Sequence, residues 1–320
     1  MGIPLLDASN FRSGSPSLRK KYVQDLCASL SAHGVVRLSN HGILDDVVKD
    51  FFELSKRFFA LPTKVKATIS NPPGPNPQRG WSSIGMEKTS SLYGKMMGQL
   101  EHFDQGRKDD PLFPNRWPAE DQISGFQSSM ETYFLLCERA SLEILEGLEE
   151  ALNLPVGTFR NRCKENASEM RLNYYPPITL EEMRAGNVNR IWPHFDLGII
   201  TLLFADTVGG LEFENRQEPS TFIPVETELQ TEMIVNVSET LQRWTNDRLP
   251  AGLHQVTIPQ HMKGLQDGEI PERYSVAYLC KADRDISVGP LPYFVKDSEI
   301  TRYEDMTALE YHQKRLLTAY

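Results

Sequence analysis

The sequence predicts an α+β chain in which a helical N-terminal part leans on a C-terminal core of short strands, of the sandwich or jelly-roll type. Up to about residue 152, apolar side chains recur mainly at helical spacing. From about residue 168 they form short runs separated by turn residues. No strand–helix alternation is sustained and no glycine-rich phosphate loop opens a helix, which disfavours a doubly wound nucleotide-binding fold.

The first half of the chain is predicted to be mainly helical. Residues 17–33 carry apolar side chains at helical spacing, and 34–38 then reads as a strand. A second helix ends before Pro62. The proline-rich segment 71–80 allows neither helix nor ladder and is predicted to be a loop. A long support helix is predicted at about 122–152.

The second half contains the predicted strands. They are 170–175, 199–204, 211–213, 221–225, 233–237, 254–258 and 274–280. A last helix is predicted at about 303–317. We therefore divide the chain into an N-terminal helix-and-strand region, 1–120, and a catalytic core, 121–320.

Composition narrows the classes of function. The chain has 320 residues and a net charge of −9, which disfavours a general nucleic-acid binder or a binder of anionic membranes. It shows no charged leader before an apolar run, and no apolar stretch of the ~18 residues that would span a bilayer. The four cysteines include no C-x-x-C pair, which favours a reducing compartment. We expect a cytoplasmic protein with a small-molecule substrate and no obligate protein partner.

A His-x-Asp motif at His194 and Asp196 is the first candidate for chemistry. In an extended segment, residues two apart point to the same face, so the imidazole and the carboxylate would project together. A second such motif, His102 and Asp104, is followed by a polar loop, whereas Asp196 is followed by the apolar run 199–204. The context favours the first pair as metal ligands and leaves His102 as a candidate for lining a cavity.

A third metal ligand must come from elsewhere, and two histidines compete for this role. His254 begins an alternating run, whereas His261 lies in a loop with Lys263 and Gly264. Because a ligand needs a rigid platform, we favour His254 and keep His261 as the alternative. Two imidazoles and one carboxylate form the facial triad of non-haem Fe(II) oxygenases, which leaves positions open for substrate and O₂.

Arg273 and Ser275 form a second candidate cluster, since alternation puts both on one face of a strand. An inward guanidinium is costly unless it meets an anion, and its fork matches a carboxylate. An arginine paired with a structural acid is the alternative. The position after the candidate ligand histidine favours a co-substrate that carries a carboxylate.

A third polar row alternates along the predicted strand 170–175. It consists of Arg171, Asn173 and Tyr175. Such a row marks either a solvent-facing surface or the wall of a polar cavity. In the presence of the other two clusters, we favour the cavity.

Together these segments resemble the isopenicillin N synthase-like family of 2-oxoglutarate/Fe(II)-dependent dioxygenases, over nearly the whole chain. Before the His-x-Asp, distal His and Arg-x-Ser elements, four segments carry the likeness. They are Ile3-Pro4-Leu5-Leu6-Asp7, Gly34 to Ile43, Arg79-Gly80-Trp81 and Leu172-Asn173-Tyr174-Tyr175-Pro176. Each motif alone is weak, but the set in this order is specific.

The resemblance implies a double-stranded β-helix (jelly-roll) core with a helical N-terminal region and a C-terminal helix. It implies O₂-dependent oxidation of a substrate, coupled to decarboxylation of 2-oxoglutarate to succinate and CO₂. The implied iron ligands are His194, Asp196 and His254. The implied 2-oxoglutarate-binding residues are Arg273 and Ser275 at the distal carboxylate, with Tyr175 assisting, and Asn173 near the metal-chelating end.

The chain departs from the family pattern in two places. Ser238-Glu239 stands where the family often has Gly-Asp, and we expect this to change a turn. The distance from His254 to Arg273 is 19 residues (273 − 254), longer than is usual in the family. We expect the extra residues to extend a loop beside the mouth of the cavity.

The substrate is expected to be a compact polar or aromatic metabolite of specialised biosynthesis, changed by hydroxylation, desaturation or ring rearrangement. The candidate substrate contacts are Arg171, Arg190, His102, Met97, Leu100 and Phe294. For Arg190, an exposed arginine is the alternative. Three other functions stay open: a 2-oxoglutarate-independent Fe(II) oxidase of the same fold, a non-catalytic small-molecule sensor, and a hydrolase that uses a bound metal to activate water. Succinate formation, iron binding and the need for O₂ would separate them.

Overall fold

The structure, a computed structural model, describes residues 2–86, 98–186, 188–295 and 301–319. Within these residues the strands form a large sheet of eight, a small sheet of four and a two-stranded ribbon. All strand pairs are antiparallel except β1 with β2. This is an α+β arrangement, as the sequence predicts.

The strands are β1 Leu5–Asp7, β2 Val35–Ser39, β3 Gly80–Ser82, β4 Glu101–Gly106, β5 Glu169–Tyr175, β6 Ile178–Thr179, β7 Ile191–His194, β8 Ile200–Ala205, β9 Leu211–Glu214, β10 Phe222–Pro224, β11 Met233–Val237, β12 His254–Val256, β13 Glu269–Ile270 and β14 Arg273–Cys280. The helices are α1 Ser9–Arg12, α2 Pro16–His33, α3 Asp45–Phe59, α4 Thr63–Lys66, α5 Phe126–Ala151, α6 Leu180–Arg184, α7 Glu239–Trp244 and α8 Ala308–Ala319. The large sheet has the order β1-β2-β11-β8-β14-β5-β4-β3, and the small sheet the order β10-β9-β12-β7.

One face of the large sheet carries the helices. Along each of its strands, alternate apolar side chains point to this face and bury against α2, α3 and α5. The resulting main core includes Leu26, Phe52, Leu145, Leu202 and Val276. Since β1 to β4 lie in the same sheet as β5, β8, β11 and β14, the two parts into which the sequence was divided share one sheet.

The opposite face of the large sheet packs on the small sheet. A second apolar cluster joins residues of both sheets, including Val35, Ile234, Leu211, Phe213 and Val256. The cluster fills only part of the space between the sheets. Polar side chains of β5, β11 and β14 point to the same side, and they supply the candidate site.

Most predicted elements are confirmed, with shifts at their ends. The support helix begins at Phe126 rather than near 122, because Gly125 adopts φ 73° and breaks the preceding turn. The last helix begins at Ala308 rather than near 303. None of the helices in the described part of the chain is both long and apolar enough to cross a membrane.

The long segment between His254 and Arg273 packs against β6 and α6. Its strand β13 pairs with β6, which precedes the short helix α6. A small apolar cluster joins these elements and includes Leu180, Met262 and Ile270. The extra residues therefore form a packed corner of the fold at the ends of β5 and β14.

Candidate metal centre and its surroundings

The side chains of His194, Asp196 and His254 meet between the two sheets. Cross-strand pairing puts His194 of β7 directly opposite His254 of β12, with ring centroids 4.2 Å apart. The Nε2 atoms of His194 and His254 lie 3.6 Å and 3.7 Å from Oδ1 of Asp196. The group is buried or half-buried. The two residues of the motif and the distant histidine thus lie together between the sheets.

Backbone carbonyls fix the tautomer of both imidazoles. His194 donates from Nδ1 to the carbonyl of Trp192 at 2.9 Å, and His254 from Nδ1 to the carbonyl of Gly252 at 3.0 Å. A carbonyl can only accept, so the proton sits on Nδ1 and the lone pair of each ring is on Nε2. Both lone pairs therefore lie on the side of the Asp196 carboxylate.

The loop after β7 holds Asp196 in place. The carbonyl of Asp196 accepts from the backbone N–H of Glu239, and Asn236 donates to its carboxylate Oδ2 at 2.9 Å. Gly198 follows at φ 139°, where a Cβ would lie 2.6 Å from the carbonyl oxygen of Cys280. Only glycine fits this close approach of the loop to β14.

Electrostatics keep the carboxylate ionised. Burial alone would raise the pKa of Asp196, but His254, His194 and the bond from Asn236 together lower it well below its usual range. Burial and then the neighbouring His194 lower the pKa of His254 to about 4. At neutral pH the site therefore offers a carboxylate and a neutral His254.

The donor set fits a divalent first-row metal. Two imidazole nitrogens and one carboxylate oxygen lie within 4.8 Å of one another. Ligands on adjacent positions of one ion, with bonds of ~2.1 Å, lie about 3 Å apart, so the group is slightly more open than a closed site. Three ligands on one side are the arrangement of non-haem iron oxygenases.

The second predicted cluster lies where β5 ends and β14 begins. Arg273 pairs with Tyr175 across the two strands, and its guanidinium lies 4.9 Å from the centre of the Tyr175 ring. Asn173 donates to Ser275 Oγ at 3.3 Å. Arg273 is 1% exposed, and its Nε and Nη1 have no hydrogen-bond partner among the described residues. A carboxylate is the group that would satisfy these donors.

A cavity of about 520 Å³ reaches Arg273. Leu211 and Ile234 line it from the small and large sheets, and His261 lies at its edge. His261 is exposed, on the 3₁₀ turn Gln260–Met262, and does not belong to the His–Asp–His group. Geometry therefore separates the two competing histidines: His254 lies in the group and His261 lies beside the cavity.

A polar wall stands beside the site on β4 and β5. Register puts His102 opposite Asn173 and Asp104 opposite Arg171. Asp104 accepts from His102 Nδ1 and from Arg171 Nε, each at 2.7 Å. Arg171 also donates to Gln78. In the second His-x-Asp motif, the aspartate thus pairs with its own histidine and with Arg171. Neither residue of this motif belongs to the His–Asp–His group.

The other predicted substrate contacts lie in different surroundings. Arg190 is fully buried, so the exposed alternative is wrong for this residue. Leu100 is buried just before β4. Phe294 packs against the main core, and its carbonyl accepts from Asn246. Met97 lies outside the described residues.

Sequence reasoning missed Asn236 and Gln78. Asn236 is the one polar side chain in the apolar run 233–237, and that pattern was a usable signal for an inward polar group. Gln78 lies in the proline-rich loop 71–80, where no periodicity predicts the direction of a side chain.

Two family models match the chain. The description of the first is non-haem dioxygenase in morphine synthesis, N-terminal, and it covers residues 3–120. The second is the 2OG-Fe(II) oxygenase superfamily, at residues 166–282. The second range contains all three residues of the His–Asp–His group, together with Arg273 and Ser275.

Curated relatives match over the full length. The 2-oxoglutarate-dependent dioxygenase ucsF of an Acremonium species is 50% identical over 100% of both chains. The proline hydroxylase buaE of Petromyces alliaceus is 42% identical over 100% of both chains. The crystal structure of a full-length Neurospora crassa protein in complex with alpha-KG and thymine matches with a TM-score of 0.89 at 28% identity, over 99% of this chain and 97% of that one. This chain therefore belongs to the 2OG-Fe(II) oxygenase superfamily and is a 2-oxoglutarate-dependent dioxygenase that uses Fe(II), 2-oxoglutarate and O₂.

Proposed function

We propose that His194, Asp196 and His254 bind the catalytic Fe(II). The observation that carries this proposal is the pair of imidazoles whose Nδ1 atoms are bound to carbonyls and whose Nε2 atoms face Oδ1 of Asp196. The three donors come from one side, so the remaining coordination positions are left to co-substrate, O₂ and solvent.

Arg273 and Ser275 hold the distal carboxylate of 2-oxoglutarate in this proposal. The unsatisfied Nε and Nη1 of Arg273 support it, because a buried guanidinium without an anion is costly. Tyr175 limits the position of the guanidinium from its ring face. Asn173 donates to Ser275 Oγ, which keeps this hydroxyl in place.

The two packed sheets form the double-stranded β-helix in this proposal, with residues 1–120 as its N-terminal region and 121–320 as its catalytic core. The shared apolar cluster between the large and small sheets supports this assignment. When bound, iron would supply the oxidising chemistry, with O₂ as the oxidant and 2-oxoglutarate as the co-substrate that is oxidised to succinate and CO₂. The chain orients both reactants from rigid strands, and the apolar cluster of the two sheets keeps water out of part of the space between them.

The primary substrate is a compact polar metabolite of specialised biosynthesis, and a free amino acid of the size of proline is the first class to test. The polar wall supports this choice, since the guanidinium of Arg171, which pairs with the buried Asp104, stays 21% exposed and could meet the carboxylate of an amino acid. Burial would raise the pKa of Asp104, but Arg171 and His102 lower it, so this carboxylate is charged at neutral pH. The relative named proline hydroxylase and the neighbour solved with thymine both point to small polar ring compounds.

A coupled assay tests the function. Purified protein is supplied with Fe(II), 2-oxoglutarate, O₂ and a panel of proteinogenic amino acids, and succinate and product mass are measured together. We expect one amino acid to raise succinate release and to yield a product of altered mass in equal amount. Arg171→Met should raise the KM for that substrate without changing the affinity for 2-oxoglutarate. Product without succinate would instead support an oxidase that needs no 2-oxoglutarate.

A further inference from the structure

Arg190 is a buried cation that the site described so far does not use. Its side chain is 0% exposed, at the start of the segment that leads into β7. Nη2 donates to the carbonyls of Pro176, Ile270 and Pro271. Its Nε and Nη1 are equally buried and have no hydrogen-bond partner among the described residues. The carbonyls therefore accept hydrogen bonds from one nitrogen of the guanidinium and leave the other two without an acceptor among the described residues.

The position of Arg190 is beside the predicted carboxylate site. Pro176 directly follows Tyr175, and Pro271 precedes Arg273 by two residues. Tyr175 and Arg273 are cross-strand partners, so the carbonyls that hold Arg190 bracket that pair. Burial first, and the charge of Arg273 second, lower the pKa of Arg190 to about 10. The two guanidinium groups are near enough to repel each other.

The local charges do not balance. Asp206 is an acidic group whose charge acts on Arg190. Its two oxygens already accept backbone N–H groups, Oδ1 from Val208 and Oδ2 from Tyr274. Among the groups that are buried or half-buried here, two arginines and one aspartate leave a net charge of +1; Glu272, next to Arg273, is exposed. One further carboxylate would neutralise the charge and accept the free N–H groups of both guanidiniums.

We propose that Arg190 is a second arginine for the distal carboxylate of 2-oxoglutarate, so that Arg190 and Arg273 together form a two-arginine clamp. This inference rests on the proposed role of Arg273. A carboxylate offers about four lone-pair positions, enough for two guanidiniums and the hydroxyl of Ser275. The clamp makes the site selective for 2-oxo acids with a second carboxylate, and it gives the buried Nε and Nη1 of Arg190 their partner.

The test compares two 2-oxo acids of equal chain length. 2-Oxoglutarate carries the distal carboxylate and 2-oxopentanoate lacks it. Each is titrated by calorimetry into Fe(II)-loaded protein without O₂, for the parent and for Arg190→Gln, Arg190→Lys and Arg273→Gln. Arg184→Gln is the matched control, because Arg184 also donates to backbone carbonyls, those of Lys263, Leu265 and Gln266, but is exposed.

We expect Arg190→Gln to weaken 2-oxoglutarate binding about tenfold or more, since a charge-assisted hydrogen bond is lost. Binding of 2-oxopentanoate should change less than twofold, and Arg184→Gln should change neither. Two outcomes would overturn the clamp: an affinity of Arg190→Gln for 2-oxoglutarate within twofold of the parent, or an equal loss of affinity for both acids. In either case Arg190 would only donate hydrogen bonds to the backbone carbonyls. If Arg273→Gln also leaves 2-oxoglutarate binding unchanged, the proposed function itself fails, and the two failures are thus distinguishable.

Two further measurements decide the question if Arg190→Gln does not fold. Arg190→Lys keeps the charge but loses the forked guanidinium. We therefore expect it to lower the affinity for 2-oxoglutarate several-fold and to leave the affinity for 2-oxopentanoate unchanged. In the parent, two guanidiniums on one carboxylate should give a preference of ~100-fold or more for 2-oxoglutarate. A preference below tenfold would overturn the clamp without any variant.

Discussion

Asn236 donates from Nδ2 to Oδ2 of Asp196 across 2.9 Å. Oδ1 is therefore the carboxylate oxygen that faces the Nε2 atoms of His194 and His254. Asn236 lies on β11 of the large sheet and is 2% exposed, whereas Asp196 follows β7 of the small sheet. This single hydrogen bond ties the candidate metal centre to the opposite sheet and orients the carboxylate before any metal binds.

Replacing Asn236 by alanine should weaken metal binding. Partners that orient a ligand typically contribute a factor of ~10–100 to metal affinity, and we expect a loss of that size. The measurement is a titration of the protein with Co(II) or, without O₂, with Fe(II). Asn161→Ala on the exposed surface is the control and should bind as the parent does. An affinity of Asn236→Ala within twofold of the parent would show that the bond does not orient the carboxylate.

The pair His254→Ala and His261→Ala tests the choice of the third ligand. His254 lies 3.7 Å from the Asp196 carboxylate, whereas His261 is exposed beside the cavity. We expect His254→Ala to lose more affinity than the ~10–100-fold that an orienting partner contributes, and to lose turnover. His261→Ala should keep both. The opposite result, with His261→Ala as the inactive variant, would move the third ligand to the long segment.

How much of this site the sequence predicts depends on the kind of signal that each residue carries. His194 and Asp196 have a local signal, because residues two apart in an extended segment share a face. His254 has a weaker one, since only its place at the start of an alternating run separates it from His261. Arg273 and Ser275 combine alternation with order along the chain. For these residues, local geometry is nearly sufficient.

Other features depend on tertiary contacts that no local pattern encodes. The short strand β4 is not among the strands that the apolar pattern predicts, because its sequence, Glu-His-Phe-Asp-Gln-Gly, is mostly polar and lacks β-branched residues. It forms because β5 pairs with it and because Asp104 meets Arg171. The burial of Arg190 follows from β13 and the ends of β5 and β14, which meet only in the folded chain. Polar residues in buried strands are therefore the ones that sequence patterns place least well.

Gly198→Ala should destabilise the fold and disturb Asp196. A Cβ at this position would lie 2.6 Å from the carbonyl oxygen of Cys280, at a backbone φ of 139° that only glycine adopts readily. We expect a loss of ~2 kcal/mol or more in the free energy of unfolding, measured by urea denaturation. Gly264→Ala is the control, because a Cβ there meets nothing within 4 Å. Equal stability of the two variants would contradict the close approach.

His312 on the last helix is a buried neutral histidine. Its Nδ1 accepts a hydrogen bond from Lys281 Nζ at 3.0 Å, and Lys281 also pairs with the buried Glu169. Burial first, and the charge of Lys281 second, lower the pKa of His312 to about 3; Glu169 acts in the opposite sense, and Arg79 and Arg171 add to the lowering. The charged groups around this imidazole thus favour its neutral form.

The folding stability should therefore fall on acidification, and His312→Gln should reduce this fall. The unfolded chain takes up a proton at His312 near pH ~6.5, whereas the folded chain does so only near its lowered pKa, so stability is lost as the pH falls below ~6.5. Between pH ~6.5 and ~5.5, unfolded carboxylates are still almost fully ionised, and the contribution of His312 approaches ~1.4 kcal/mol per pH unit as an upper limit. Glutamine can still accept from Lys281 but does not titrate. The measurement is the difference in the free energy of unfolding between parent and His312→Gln at several pH values in this window. Parallel pH profiles would mean that His312 is protonated, or exposed, in the folded chain.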